Sequence, residues 1–125
     1  MHRFLLPVAL TLAGCVSNPG SIVEAGYPTG SLAVAAIDRG DWATAERLLT
    51  AESRLDADDP ARLINLGRVY LETGRPAQAA AAWRQALASD RHVEVETLGG
   101  RTARTDEIAR AALARHAEAE VVAAR

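Results

Sequence analysis

The sequence predicts an all-α fold: two helical hairpins stacked as a short α-solenoid, then a C-terminal helix that caps the stack. Three observations lead there. Alanine supplies much of the 49% hydrophobic content while aromatics reach only 4%. That balance favours closely packed helices, because alanine is the best helix former and adds almost no bulk. Residues recur at a spacing of 34: Leu32 and Leu66, Gly40 and Gly74, Ala45 and Ala79, Leu49 and Trp83. A period of that size marks a helical repeat array. Aspartates and prolines stand where helices should begin, and glycines where they should end. The 125 residues suffice for one small domain.

At the N-terminus, Met1-His2-Arg3 gives a short positive start, and Phe4 to Gly14 is apolar apart from Thr11. About eleven residues fall far short of the roughly 20 that span a bilayer and suit the hydrophobic region of a signal peptide. Leu12, Ala13, Gly14 and Cys15 follow, with the only cysteine of the chain. These four residues resemble the lipobox of bacterial lipoprotein precursors. The resemblance implies a signal peptide over 1–14, diacylglycerol on the Cys15 thiol and cleavage before that residue. Two or three acyl chains hold a protein at a membrane firmly, where one holds it marginally. Val16 stands where aspartate would retain an enteric lipoprotein at the inner membrane, which implies the outer membrane, facing the periplasm. The competing reading is a structural cysteine buried in an N-terminal helix. Residues 15–30, with glycines and prolines and little periodicity, read as a lipidated flexible tether kept out of the core.

The helical domain then covers 31–125. A first repeat spans about 26–59, where Asp41 caps a helix carrying Trp42, Ala45, Leu48 and Leu49. A second spans about 60–93. Asp59 serves as N-cap and Pro60 as first helical residue. Leu63, Leu66, Val69, Tyr70 and Thr73 form one face at 3–4 spacing, and Gly74 ends the helix with a positive φ. Pro76 starts the partner helix, whose inner stripe is Ala79, Ala80, Trp83 and Leu87. Small Gly67 and Ala79 let the two helices approach, and Tyr70 and Trp83 fill the remaining gaps. In the capping segment, 94–125, Val93 and Val95 alternate with His92, Glu94 and Glu96 before Gly99-Gly100. A short hairpin with a two-residue turn and a plain loop are both open there, at about 92–104. Thr105 reads as an N-cap ahead of Asp106 and Glu107. Ile108, Ala112, Leu113, Ala117 and Val121 form the stripe of a last helix, either a cap or half of a third repeat.

The stretch "LINLGRVYLETGRPAQAAAAWRQAL", residues 63–87, resembles a tetratricopeptide repeat. Leu63, Leu66, Gly67, Tyr70, Gly74, Ala79, Trp83 and Ala86 fall on the signature positions of that family. The first copy keeps Leu32, Gly40, Ala45 and Leu49, with Ala33 and Ala36 in place of the usual glycine and tyrosine. Arg91 stands where a proline usually closes the repeat. A generic helical hairpin is the alternative. The resemblance covers about half the chain and implies a concave groove for a peptide, lined by Val34, Ile37, Asp38, Asn65, Arg68, Leu71 and Glu72. Ordinary exposed helix surface is the other reading of those seven. Asn65 matches one position of the subfamily that clamps a C-terminal carboxylate. The remaining clamp positions fall on Gly30 and Val34 or do not exist, so no such clamp is expected.

Other chemistry is sparse. Net charge is −2 with acids and arginines interspersed, so no basic stripe points to nucleic acid. A single cysteine excludes an internal disulfide. His92 and His116 lie in separate elements without metal-binding spacing, and both read as surface residues. Asp56, Asp58 and Asp59 lack the glycine and terminal glutamate of a calcium loop. Glu94 and Glu96 share one side of a strand, but no second charge or pocket accompanies them. No metal, cofactor or enzymatic activity is expected. The expected role is an adaptor at the cell envelope, binding a protein or peptide there and held to the membrane through Cys15. Self-association with a second copy of the chain is the alternative.

Overall fold

A computed structural model describes residues 21–50 and 54–123, with side chains as far as 116. The lipobox and the first part of the expected tether lie outside the described residues. The elements run α1 (Val34–Asp38), α2 (Trp42–Leu49), α3 (Pro60–Glu72), α4 (Pro76–Ala88), β1 (Glu94–Glu96), β2 (Thr102–Arg104) and α5 (Thr105–Ala123). The fold is mostly helical, with the strands a minor excursion. Helices α3 and α4 make the closest pair, α5 packs mainly on α4, and α2 packs on α3.

Local chemistry sets the helix ends. Asp41 accepts the Thr44 N–H at 3.2 Å and Asp59 the Arg62 N–H at 3.0 Å, with Pro60 in the first turn of α3. These side-chain oxygens satisfy donors that a helix start leaves open. Gly40 and Gly74 close α1 and α3 in the same way. Each has positive φ, +68° and +75°. The residue after each donates back five residues, Asp41 to Ala36 O at 2.9 Å and Arg75 to Tyr70 O at 2.8 Å. This is the Schellman closure, which glycine adopts without a Cβ penalty.

Between α3 and α4, the packing rests on one glycine. A Cβ on Gly67 would stand 2.6 Å from Trp83 Cδ1. The Nε1 side of the indole lies against bare backbone, and Nε1 donates to Ile64 O at 3.3 Å. Trp83 belongs to the main core with Ile22, Leu32, Ala61, Leu63, Ile64, Ala79, Ala86, Val95, Ile108 and Ala109. A second cluster joins α1 and α2 to α3 through Ala33, Ala36, Ile37, Ala45, Leu49, Leu66 and Val69.

Three expectations change. First, the tether is shorter than 15–30: Ser21 and Ile22 are buried, Ile22 completely. Ile22 pairs antiparallel with Thr97, and the Glu24 carboxylate accepts the Gly30 and Leu32 N–H groups at 2.7 and 3.1 Å. Residues 21–32 thus pack as part of the domain, because apolar Ile22 has a vacant seat in the core and Glu24 closes the loop. Second, the first helix of repeat one shrinks to the five residues of α1. Gly26, Gly30 and Ala33 all have positive φ, and a helix cannot propagate through them. Leu32 reaches the core from a turn instead. Third, the excursion at 92–104 is the hairpin left open above, with Glu94 opposite Arg104 and Glu96 opposite Thr102, but its turn is longer than two residues. Its loop has three residues, 98–100, since Thr97 donates to Arg101 O at 2.8 Å. Gly100, at φ +73°, supplies the left-handed residue of such a loop.

At the start of α5, Thr105 is buried and turns its hydroxyl to the sheet, accepting the Val93 N–H at 3.2 Å, so it does not cap. Glu107 reaches back to the Arg104 N–H at 3.4 Å. His116 is also not a surface residue. It is 6% exposed and meets the Trp83 ring edge-on, with centroids 6.2 Å apart.

Candidate functional site: the face of α3 and the segment that crosses it

The seven candidate groove residues separate into two groups. Asn65 is 0% exposed, and Ile37 is buried in the cluster between α1 and α3. Val34 is half-buried, and Asp38, Leu71 and Glu72 are exposed, with Leu71 at 38%. Arg68, Leu71 and Glu72 sit three and four residues apart, so they share one face of α3. Val34 and Asp38 share one side of α1 by the same spacing.

Asn65 grips the crossing segment by its backbone. Its Oδ1 accepts the Ile22 N–H at 2.9 Å, and its Nδ2 donates to Ile22 O at 3.1 Å and to Leu32 O at 3.0 Å. One side-chain amide thus completes both polar groups of Ile22, as a neighbouring strand would. On its other side the segment pairs with the hairpin. Val23 donates to Glu96 O and Leu98 to Ser21 O, both at 2.9 Å. The N-terminal half of α3 is therefore covered by the chain itself, whereas Leu71 and Glu72 at its C-terminal end face solvent beside the largely buried Arg68.

That open half is stiffened by charged side chains. Arg68 Nε lies 2.9 Å from Glu72 Oε1, an ion pair without hydrogen-bond alignment, and its guanidinium stands 5.9 Å from the Trp42 ring centre. Arg75 grips Glu46 of α2 with both terminal nitrogens, at 2.8 and 2.6 Å, and lies 4.7 Å over the Tyr70 ring. The Arg75 hydrogen bonds hold the Glu46 carboxyl below its ordinary pKa. A two-pronged Arg–carboxylate pair of this kind fixes geometry more than it adds stability at a surface. It ties the first hairpin to the second.

Elsewhere, the acidic cluster has an internal partner: Arg91 pairs with Asp56 at 3.0 Å and Asp58 at 2.9 Å. Tyr27, packed on the main core, has its hydroxyl pushed up to about 12 by burial and then by Asp59. Glu94 and Glu96 both face solvent, with Val95 between them buried. Among the described residues, no group of three or more His, Cys, Asp or Glu side chains is placed to hold a metal ion.

Residues 36–101 match the sequence model of the tetratricopeptide repeat. The chain belongs to the tetratricopeptide repeat family. No curated protein and no solved structure matches it.

The match runs from Ala36, inside α1, to Arg101, so it spans most of the first repeat including α2, the whole second repeat, and β1 with the loop that follows it. The family's signature residues lie as follows. Leu32, Ala45, Leu49, Leu63, Leu66, Gly67, Ala79, Trp83 and Ala86 are buried, Tyr70 is half-buried between the two clusters, and Gly40 and Gly74 close helices. Arg91, in place of the tetratricopeptide proline, closes the second repeat by its ion pairs back to Asp56 and Asp58, just ahead of α3. Sequence reasoning missed Ile22 and misplaced His116. A polar Asn65 inside the apolar run "LINLG" was a signal for the first, since a buried amide requires partners. His116 follows Ala112 by four and Leu113 by three, which puts it on the inner stripe of α5.

Proposed function

We propose that this chain is a lipid-anchored tetratricopeptide module that holds an envelope protein or peptide close to a membrane and performs no catalysis itself. The carrying observation is the C-terminal end of α3, where Leu71 and Glu72 face solvent beside the half-buried Arg68, on a scaffold whose core side chains are buried. Tetratricopeptide repeats are protein-binding modules, which supports a protein partner. The lipobox resemblance of Leu12, Ala13, Gly14 and Cys15 supports the membrane anchor, and Val16 supports the outer membrane.

The docking of Ser21 sharpens the geometry of that proposal. Six chain steps separate Cys15 from Ser21, and an extended chain covers at most about 3.6 Å per step. The domain therefore starts within about 20 Å of its lipid, so its partner is met at the membrane surface. Capture from detergent-solubilised envelopes tests the reading. The unmodified chain is expected to recover a protein that an Arg68→Glu, Leu71→Asp variant loses. Recovery of nothing beyond background contradicts it. A Cys15→Ser variant is expected to remain an unlipidated, uncleaved precursor, and normal processing of that variant contradicts the anchor.

A further inference from the structure

We propose that Ser21–Val23 is an exchangeable ligand of the groove on α3. An extended peptide in trans, with an aliphatic residue in the position of Ile22, takes the same seat. The proposal rests on the reading of this chain as a peptide-binding module, and names what its covered half binds.

The seat has two walls. One is the end of β1 and the loop after it, where Glu96 O accepts the Val23 N–H and the Leu98 N–H donates to Ser21 O, both at 2.9 Å. The other is Asn65, which completes the N–H and C=O of Ile22. Every polar contact is to backbone, so the site reads an extended main chain rather than a particular sequence. This is strand addition, in which main-chain bonds hold the peptide and side-chain pockets select it. The single selecting contact is Ile22, wholly buried as part of the main core.

Two features mark the resident segment as an imperfect fit. Ser21 Oγ is buried without a hydrogen-bond partner among the described residues, a penalty released whenever the segment leaves. The loop joining it to the domain turns at Gly26 and Gly30, both at positive φ, and is closed by Glu24. Opening needs only that loop to swing, with α3, α4 and α5 intact. Such sub-global opening is how part of a fold exposes a site.

Native-state amide exchange by NMR on the full chain in detergent micelles tests this, with a synthetic peptide of residues 18–26 as probe. The Ile22 and Val23 amides are expected to exchange at least tenfold faster than those of Leu66 and Val69. Excess peptide is expected to raise the Ile22 rate further by occupying the vacated seat, and Asn65→Ala is expected to abolish that increase. Ile22 exchanging at the Leu66 rate, with or without peptide, overturns the proposal, because the segment then leaves only on global unfolding. Fast exchange unaffected by peptide overturns it equally. Either failure leaves envelope capture through Leu71 untouched, and failed capture leaves these rates untouched.

Discussion

Replacing Asn65 by alanine removes one side-chain amide and orphans three buried backbone groups: the Ile22 N–H, the Ile22 C=O and the Leu32 C=O. Each orphaned buried group costs roughly 1–3 kcal/mol. The chain can escape that penalty by undocking residues 21–23. It then gives up the burial of Ile22, roughly 1.5–3 kcal/mol, and two bonds to the hairpin at about 1 kcal/mol each. Both routes arrive at about 3 kcal/mol or somewhat more, a large share of the 5–15 kcal/mol that holds a typical domain together. Asn65→Asp keeps an acceptor for Ile22 but aims a carboxylate at two carbonyl oxygens, so at neutral pH it is expected to cost at least as much. Urea unfolding followed by far-UV circular dichroism measures both. A loss below about 1 kcal/mol for Asn65→Ala refutes the reasoning, since that is the size expected of an exposed groove residue.

Further outcomes follow from the same contacts. Gly67→Ala drives a methyl into the Trp83 indole. The overpacking cost of about 1–3 kcal/mol outweighs the roughly 1 kcal/mol that alanine gains in a helix, so thermal denaturation should show a net loss, and a stabilised variant would contradict the seating of Trp83. The Glu46 carboxyl is held below its ordinary value of 4.5 by Arg75. Its contribution is therefore complete above that value and lost as pH falls through the folded pKa. The stability gap between the unmodified chain and Arg75→Ala should shrink on acidification, and a gap that widens contradicts the pairing. Tyr27, raised from 10.0 to about 12, keeps its proton in the folded chain after the unfolded chain has lost it. Stability should fall as pH rises from 10 to 12, and phenolate absorbance should show one tyrosine titrating late. Normal titration of both tyrosines would mean that residue 27 is not docked.

The legible parts of this fold were those written in local chemistry or in the 34-residue period. Asp41, Asp59 and Pro60 start helices through interactions within three residues, and Gly40 and Gly74 stop them through one backbone angle each. Side-chain size placed small Gly67 and bulky Trp83 between the two helices, but did not pair them with each other. The docking of Ile22 was not legible, because one apolar pair among glycines, prolines and serines has no periodicity. Its partners, Asn65 and Thr97, lie 43 and 75 residues away in the chain. The shortness of α1 escaped for a related reason: Leu32 repeats Leu66 in burial but not in backbone conformation, and only the positive φ at Gly30 and Ala33 separates the two. The candidate groove came from the repeat resemblance, and of its residues Arg68, Leu71 and Glu72 share one face of α3. The resemblance could not show that Asn65, on the same helix, was already engaged.

The most direct test of the account is a photo-crosslinking residue placed at Leu71 in the full chain in intact cells, with exposed Gln85 on α4 as control. The account predicts a discrete protein adduct from position 71, none from position 85, and loss of the adduct when Arg68→Glu is added. Equal labelling from both positions, or none from 71, would contradict the claim that the open half of α3 is where this tetratricopeptide module meets its partner.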